Sequence, residues 1–272
     1  MVLLFTLSSI ACGRSGDGKD FTDMMGMVPW ESNCFSYWAV DELGTDPDLR
    51  DIYAMFKETP QAQQLMDVGM ALFPLEHSAR ASGFDGGVTI LEGDLNSKDI
   101  ERRLAENGYG KTEYRQTVIW TSPDGNEQDS LALKGEIILM GSGESLRSCI
   151  DTMSQEQALS LYDDQHIRWL TARLPEGQMV SVYKASFTSG QAYADLLAFG
   201  ESYKKENQDR LKLTAVYMFQ DSDAADKANT EIEDYLESEK FANIKVDTSE
   251  NYISITALIY VTDFVENMAF HY

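Results

Sequence analysis

Short runs of alternating or β-branched apolar residues predict that much of the chain forms β-strands. A strand with one buried face alternates its side chains with a period of two, and Val, Ile, Thr and aromatic residues favour this conformation. Turn-forming residues such as Pro123-Asp124-Gly125-Asn126 lie between several of the runs and are typical of hairpins. The predicted strands are 34–40, 88–95, 116–121, 130–133, 136–140, 179–187, 213–219, 244–247 and 252–259.

Apolar residues spaced three and four positions apart predict helices between these strands. Leu49, Ile52, Tyr53 and Phe56 follow this spacing just after Pro47, and proline is favoured in the first turn of a helix. Further helices are predicted at 61–75, 97–107 and 189–205, after the glycine-rich turn at 141–145, and after the acidic cap at 221–223. The segment 79–87 has the composition of a turn.

The order of these elements predicts an α+β fold. The units 88–121 and 213–259 both have the order strand, capped helix, strand, which indicates two lobes. We expect each lobe to be an antiparallel sheet with helices packed on one face. The expected organisation is a signal peptide at 1–11, a flexible tether at 12–32, a first lobe at 33–153, a linker at 154–177 and a second lobe at 178–272.

The N-terminal segment 1–11 is apolar and has no charged residue. Its length is typical of the apolar part of a secretion signal, and it is too short to span a bilayer. The end of this segment together with the next residue, Ser9-Ile10-Ala11-Cys12, resembles the lipobox of bacterial envelope lipoproteins. That family usually has leucine three positions before the cysteine, whereas here Leu7 stands five positions before it. The resemblance implies lipidation of Cys12 and attachment to the extracytoplasmic face of a membrane in the bacterial cell envelope. The element order is also similar to that of envelope lipoproteins with ferredoxin-like repeats.

The remaining cysteines, Cys34 and Cys149, leave two possibilities open. In an oxidising compartment they could form a disulfide, which would close a long loop and stabilise the fold by roughly 2–4 kcal/mol. Alternatively, each is a separate buried thiol, since free cysteine behaves as a small apolar residue.

The charge excludes some partners. The 45 Asp and Glu residues exceed the 22 Lys and Arg residues and give a formal net charge of −23. Nucleic-acid binding requires a basic surface, so we exclude it as a function. Hydrophobic residues make up 43% of the chain, which is typical of a folded protein rather than a disordered one.

Residues that often carry chemistry are few and scattered. The histidines are His77, His166 and His271, and no G-x-S-x-G motif accompanies them, so a nucleophilic triad is not indicated. The sequence lacks the paired Cys and His spacings of zinc sites. The glycine-rich loop 141–145 lacks the lysine of a phosphate-binding loop and is interpreted as a tight strand-to-helix turn. We therefore expect no metal and no cofactor.

Three hypotheses for function follow. The first is a membrane-anchored protein with a non-catalytic binding or structural role, whose partner is an unknown protein or small molecule. The second is an extracytoplasmic ligand-binding protein with a partly apolar cleft between the lobes. The third is a hydrolase, which would require two facing carboxylates in such a cleft, at least one of them desolvated.

Overall fold

A computed structural model describes residues 20–72, 74–83, 86–126, 129–154, 158–184, 195–238 and 240–268. Most of the strands coincide with the alternating apolar runs. The strands are β1 (Cys34–Ala39), β2 (Leu75–Ser82), β3 (Val88–Gly93), β4 (Gly110–Tyr114), β5 (Thr117–Thr121), β6 (Ser130–Lys134), β7 (Ile137–Gly141), β8 (Met179–Lys184), β9 (Leu196–Asn207), β10 (Arg210–Phe219), β11 (Ala242–Ser249) and β12 (Tyr252–Tyr260).

Several helices begin where a polar side chain accepts a hydrogen bond from the first turn. Thr59, Asn96 and Asp164 accept such bonds at the starts of α4, α5 and α7, which satisfies backbone N–H groups that have no partner within the helix. The helices are α1 (Asp20–Met25), α2 (Val40–Thr45), α3 (Arg50–Lys57), α4 (Pro60–Asp67), α5 (Ser97–Glu106), α6 (Gly143–Ser154), α7 (Gln165–Thr171), α8 (Ser222–Ser238) and α9 (Val261–Met268). None of the helices in the described ranges is both long and apolar enough to cross a membrane.

In the described part of the chain the strands form one continuous antiparallel sheet of 12 strands, in the order β11-β12-β10-β9-β8-β1-β2-β3-β7-β6-β5-β4. Strands β1 and β8 pair at its centre, with Ser36 opposite Ser181. From this central pair the order β1-β2-β3-β7 extends to one side and β8-β9-β10-β12 to the other. The first and second halves of the chain therefore meet along the β1–β8 pair.

Helices cover both faces of the sheet. On one face, α1, α6 and α7 pack on a continuous apolar core that includes Phe35 and Tyr37 of β1. On the other face, α2 to α5 and α9 cover the first half of the sheet together with Leu211 and Ile259 from the second half. On that same face α8 packs on a separate cluster that includes Leu213 and Ile255. The second face is thus covered in two areas rather than one.

The observed class is α+β, but the expected pair of separate lobes is not confirmed. The strands of both halves join in one sheet, and the helices lie on both of its faces instead of one. Part of the expected tether is also folded, because residues 20–25 form α1 and its Phe21 and Met24 are fully buried. Likewise, the expected linker contains α7, whose Ile167 and Leu170 lie in the core.

Two secondary-structure predictions are wrong. Of the described part of the predicted helix 189–205, residues 196–205 belong to β9, where Leu196, Ala198 and Gly200 alternate with more exposed residues. The predicted turn 79–87 includes the end of β2, whose serine and arginine side chains obscured the alternating burial of Ala79 and Ala81. The predicted signal peptide and Cys12 lie outside the described residues.

Candidate functional site

A cavity of about 540 Å³ opens on the second face of the sheet, above the central β1–β8 pair. It lies between the covered areas of that face, and its size is within the range of small-molecule sites. Strands β1, β2, β3, β8 and β9 form its floor, and Phe56, Thr59 and Gln61 from α3 and the start of α4 form one wall. Both halves of the chain therefore contribute to it.

A row of polar residues crosses the floor of the cavity, one from each of its five strands. In register across the sheet, Thr89, Arg80, Ser36, Ser181 and Glu201 follow one another on β3, β2, β1, β8 and β9. The two serines at the centre are joined by a hydrogen bond, with the Ser181 Oγ donating to the Ser36 Oγ at 3.3 Å. A row of polar groups thus crosses five adjacent strands.

Arg80 supplies the positive charge of this row. Its side chain is exposed at the cavity, and within the described part of the chain its guanidinium makes no hydrogen bond or ion pair. Its neighbours in register, Ser36 and Thr89, are uncharged. A guanidinium presents several donors in a planar fork, which suits a carboxylate or phosphate group.

Glu201 supplies the negative charge at the other end of the row. Its carboxylate is half-buried, and it accepts a hydrogen bond from the Tyr203 hydroxyl at 3.1 Å. Desolvation raises the pKa of Glu201 to about 6, although the Tyr203 hydrogen bond acts in the opposite direction. At neutral pH the carboxylate is therefore mostly ionised but poorly solvated, a state that a cationic ligand group would stabilise.

Aromatic rings lie beside the polar row on the same face of the sheet. Tyr183 and Phe199 are stacked with ring centroids 4.4 Å apart, and the next ring on β10, Tyr217, stacks on Phe199 at 5.6 Å. At the other end of the cavity, the ring centroids of Trp38 and Phe56 are 6.3 Å apart. The cavity consequently offers apolar, planar surfaces for a ligand in addition to its charged groups.

Cys34 and Cys149, the two cysteines among the described residues, are free thiols on opposite faces of the sheet. Cys34 lines the cavity, whereas Cys149 is buried under α6 in the core of the other face. The disulfide left open by the sequence is therefore not formed. Burial raises the pKa of both thiols, so that neither is activated as a nucleophile.

His77 and His166 lie away from the cavity. On the opposite face, His77 Nδ1 is hydrogen-bonded to the Tyr37 hydroxyl at 2.9 Å, and its Nε2 lies 3.6 Å from a carboxylate oxygen of Asp20. Burial raises the pKa of Tyr37, which keeps that phenol protonated. His166 is on α7, and His271 lies outside the described residues.

The other segments considered from sequence have local structural roles. In the loop 141–145, the Ser142 Oγ accepts a hydrogen bond from the Ser145 N–H at 3.0 Å, at the start of α6. Asp221 caps α8 in the same way, accepting from the Ala224 N–H at 2.9 Å. No group of three or more His, Cys, Asp or Glu side chains is arranged to hold a metal in the described ranges.

A curated archaeal protein is similar to just over half of the chain. A stretch of 152 residues is 30% identical to an uncharacterised protein of Methanocaldococcus jannaschii and covers 56% of this chain and 52% of that protein. The chain thus spans about half the length of this curated relative. No family model matches the sequence, and no solved structure matches it.

Proposed function

We propose that the protein binds a small molecule in the central cavity and has a non-catalytic role. The observation that carries this proposal is the combination of a 540 Å³ cavity, an arginine without an ion pair among the described residues, and stacked aromatic rings at one place on the sheet. Small-molecule sites combine apolar and aromatic walls with a few converging polar groups, and this cavity has both components.

The polar residues of the cavity floor stabilise the fold little, which supports a role in ligand binding rather than a structural one. Serines, an arginine and a glutamate on the central strands of a sheet contribute little packing, whereas on the opposite face the same strands place Phe35, Ala79, Val182 and Ala198 in a continuous apolar core. Desolvating Glu201 costs stability in the free protein. A bound ligand that pairs with these groups would offset that cost.

The hydrolase alternative has less support from the cavity. It requires two facing carboxylates, whereas Glu201 is the one carboxylate among the described residues that line the cavity. The thiol of Cys34 is also not activated, since its pKa is raised. These features favour binding over bond cleavage.

A ligand screen tests the proposal. The Tm of the purified protein is measured in the presence of amino acids, short peptides, organic acids, nucleotides or sugars. A ligand at about 100 times its Kd should stabilise the fold by about 2.7 kcal/mol and raise Tm by several degrees. Ser181→Tyr fills the cavity floor and should abolish the shift. Thr112→Tyr, on the exposed edge strand β4, is the matched control and should retain it. A shift that survives Ser181→Tyr would place binding elsewhere and contradict the proposal.

We also propose that Cys12 anchors the protein to a membrane, as the lipobox resemblance implies. Cys12→Ala should then move the protein from the membrane fraction to the soluble fraction, since the mature domain would lose its acyl chains. Cys149→Ala is the control and should leave the fractionation unchanged. Equal partitioning of Cys12→Ala and the unaltered protein would contradict the anchor.

A further inference from the structure

We infer that the ligand of the central cavity is dipolar, a short peptide with free termini whose carboxylate binds Arg80 and whose ammonium group faces Glu201. This inference rests on the proposed function and deepens it, because it states the chemical class of the ligand and its direction in the cavity.

The first step is that Arg80 and Glu201 occupy corresponding positions in the two halves of the sheet. Ser36 and Ser181 face each other across the central β1–β8 pair. Arg80 on β2 is the outer neighbour of Ser36, and Glu201 on β9 is the outer neighbour of Ser181. At corresponding positions, the first half of the sheet therefore carries a guanidinium and the second half carries a carboxylate.

The second step is that these opposite charges do not neutralise each other. In the described part of the chain Arg80 makes no ion pair, and the single hydrogen bond of the Glu201 carboxylate comes from Tyr203. Nevertheless Arg80 and Glu201 line the same cavity, so they face one common space. A ligand with a single charge would pair with one of them and leave the other unpaired.

The third step concerns distance. Three strand spacings of about 4.8 Å separate Arg80 from Glu201, which puts their Cα atoms about 14 Å apart. An extended tripeptide separates its ammonium and carboxylate groups by about 10 Å, whereas a single amino acid holds them within one residue. The terminal groups of the tripeptide are closer together than the two Cα atoms, and the difference is spanned by the side chains of Arg80 and Glu201, which extend toward the ligand.

The fourth step distinguishes a peptide from an aliphatic chain with the same two charges. Between Arg80 and Glu201 the floor consists of the hydroxyls of Ser36 and Ser181. Peptide N–H and C=O groups can pair with these hydroxyls, but methylene groups would desolvate them without compensation. The stacked Tyr183 and Phe199 rings provide an apolar surface for a central side chain of the peptide.

Calorimetric titration with four matched probes tests the inference. The probes are glycyl-phenylalanyl-glycine with free termini, its N-acetylated form, its C-amidated form, and 8-aminooctanoic acid. The free peptide should bind, and loss of either terminal charge should weaken binding about tenfold or more, as for loss of a charge-assisted hydrogen bond.

Variants assign each charge of the ligand to its partner. In the Glu201→Gln variant, N-acetylation of the peptide should change its Kd by less than about twofold. In the Arg80→Gln variant, C-amidation of the peptide should change its Kd equally little. Arg147→Gln, on an exposed position of α6 on the other face, and Glu206→Gln, on an exposed position of β9, are the controls and should behave like the unaltered protein.

The outcomes separate this inference from the proposed function. If anionic molecules bind regardless of an ammonium group and still require Arg80, the cavity binds ligands but the dipolar assignment is wrong. Equal affinity for 8-aminooctanoic acid and the peptide would overturn the peptide class. If no probe and no compound of the wider screen binds, the proposed function itself fails.

Discussion

The two faces of the central strands differ sharply although the same strands build both. On β1, Phe35, Tyr37 and Ala39 point into a continuous core, while Cys34, Ser36 and Trp38 face the cavity. The first face follows the ordinary rule that a sheet buries its apolar side under helices. The second face departs from this rule at the centre of the sheet, where polar side chains line a cavity. One side of each central strand thus stabilises the fold, and the other side is available to contact a ligand.

The largest expected effect comes from the packed face. Phe35 is fully buried, so Phe35→Ala should destabilise the protein by about 3–5 kcal/mol through lost burial and a cavity. Ser36→Ala, one residue away on the cavity face, should cost about 1 kcal/mol, mainly for its hydrogen bond with Ser181. Denaturant unfolding measures both. Similar losses for the two variants would remove the distinction between the faces.

A smaller effect is expected at Gly200, next to Glu201 but on the packed face. A Cβ there would lie 2.8 Å from Leu174 Cδ1, 2.9 Å from Leu170 Cδ2 and 3.1 Å from the Ser181 carbonyl oxygen. The segment formed by α7 and the residues just after it therefore approaches β9 more closely than a Cβ permits. Gly200→Ala should therefore destabilise the fold by about 1–3 kcal/mol. Gly110→Ala in β4, where nothing lies within 4 Å, is the control and should leave the free energy of unfolding nearly unchanged. An equally harmless Gly200→Ala would contradict the close approach of α7.

The smallest effect has the opposite sign and belongs to the cavity face. Burial raises the pKa of Glu201 from 4.5 to about 6, so between these values the folded state binds the proton more tightly than the unfolded state. Ionisation thus lowers stability as pH rises through this interval, and the loss then stays constant. Glu201→Gln should consequently stabilise the protein on the order of 1–2 kcal/mol at pH 7 and have no effect at pH 4.

Unfolding curves at the two pH values measure this difference. Glu206→Gln, at an exposed position of the same strand, should change stability little at either pH. A Glu201→Gln variant that loses stability at pH 7 would show that the carboxylate supports the fold instead of serving a ligand.

The sequence predicted the fold class and the strands with apolar, β-branched composition. Strand β10 and the hairpin of β11 and β12 were predicted because these segments are rich in residues that favour strands. Their apolar residues also alternate with polar ones, as a strand with one buried face requires. The same rule missed β2, where the alternating set is Ala79 and Ala81 against Ser78, Arg80 and Ser82. Small residues give a weak signal, although the regular spacing of these three polar residues could have revealed a strand with a polar face.

The cavity could not be located from sequence, because its residues come together through pairing over long distances in the chain. Ser36 and Ser181 meet only when the two halves join, and no local pattern specifies that register. Glu201 was likewise assigned to a helix, so its position beside Ser181 was hidden. The expectation of a cleft between two halves came from element order alone, which fixes neither lining residues nor charge.

The pairing of β1 with β8 also has a consequence for how the chain folds. Ser36 and Ser181 are 145 positions apart, whereas the neighbouring strands β9 and β10 are joined by a short turn. Pairings between distant residues form slowly because closing the intervening loop costs entropy before any contact compensates it. We therefore expect each half to fold as a unit first and the central pair to close last. During synthesis the cavity can exist only after the chain has emerged past β9, so a ligand would bind at the end of folding and hold the two halves together.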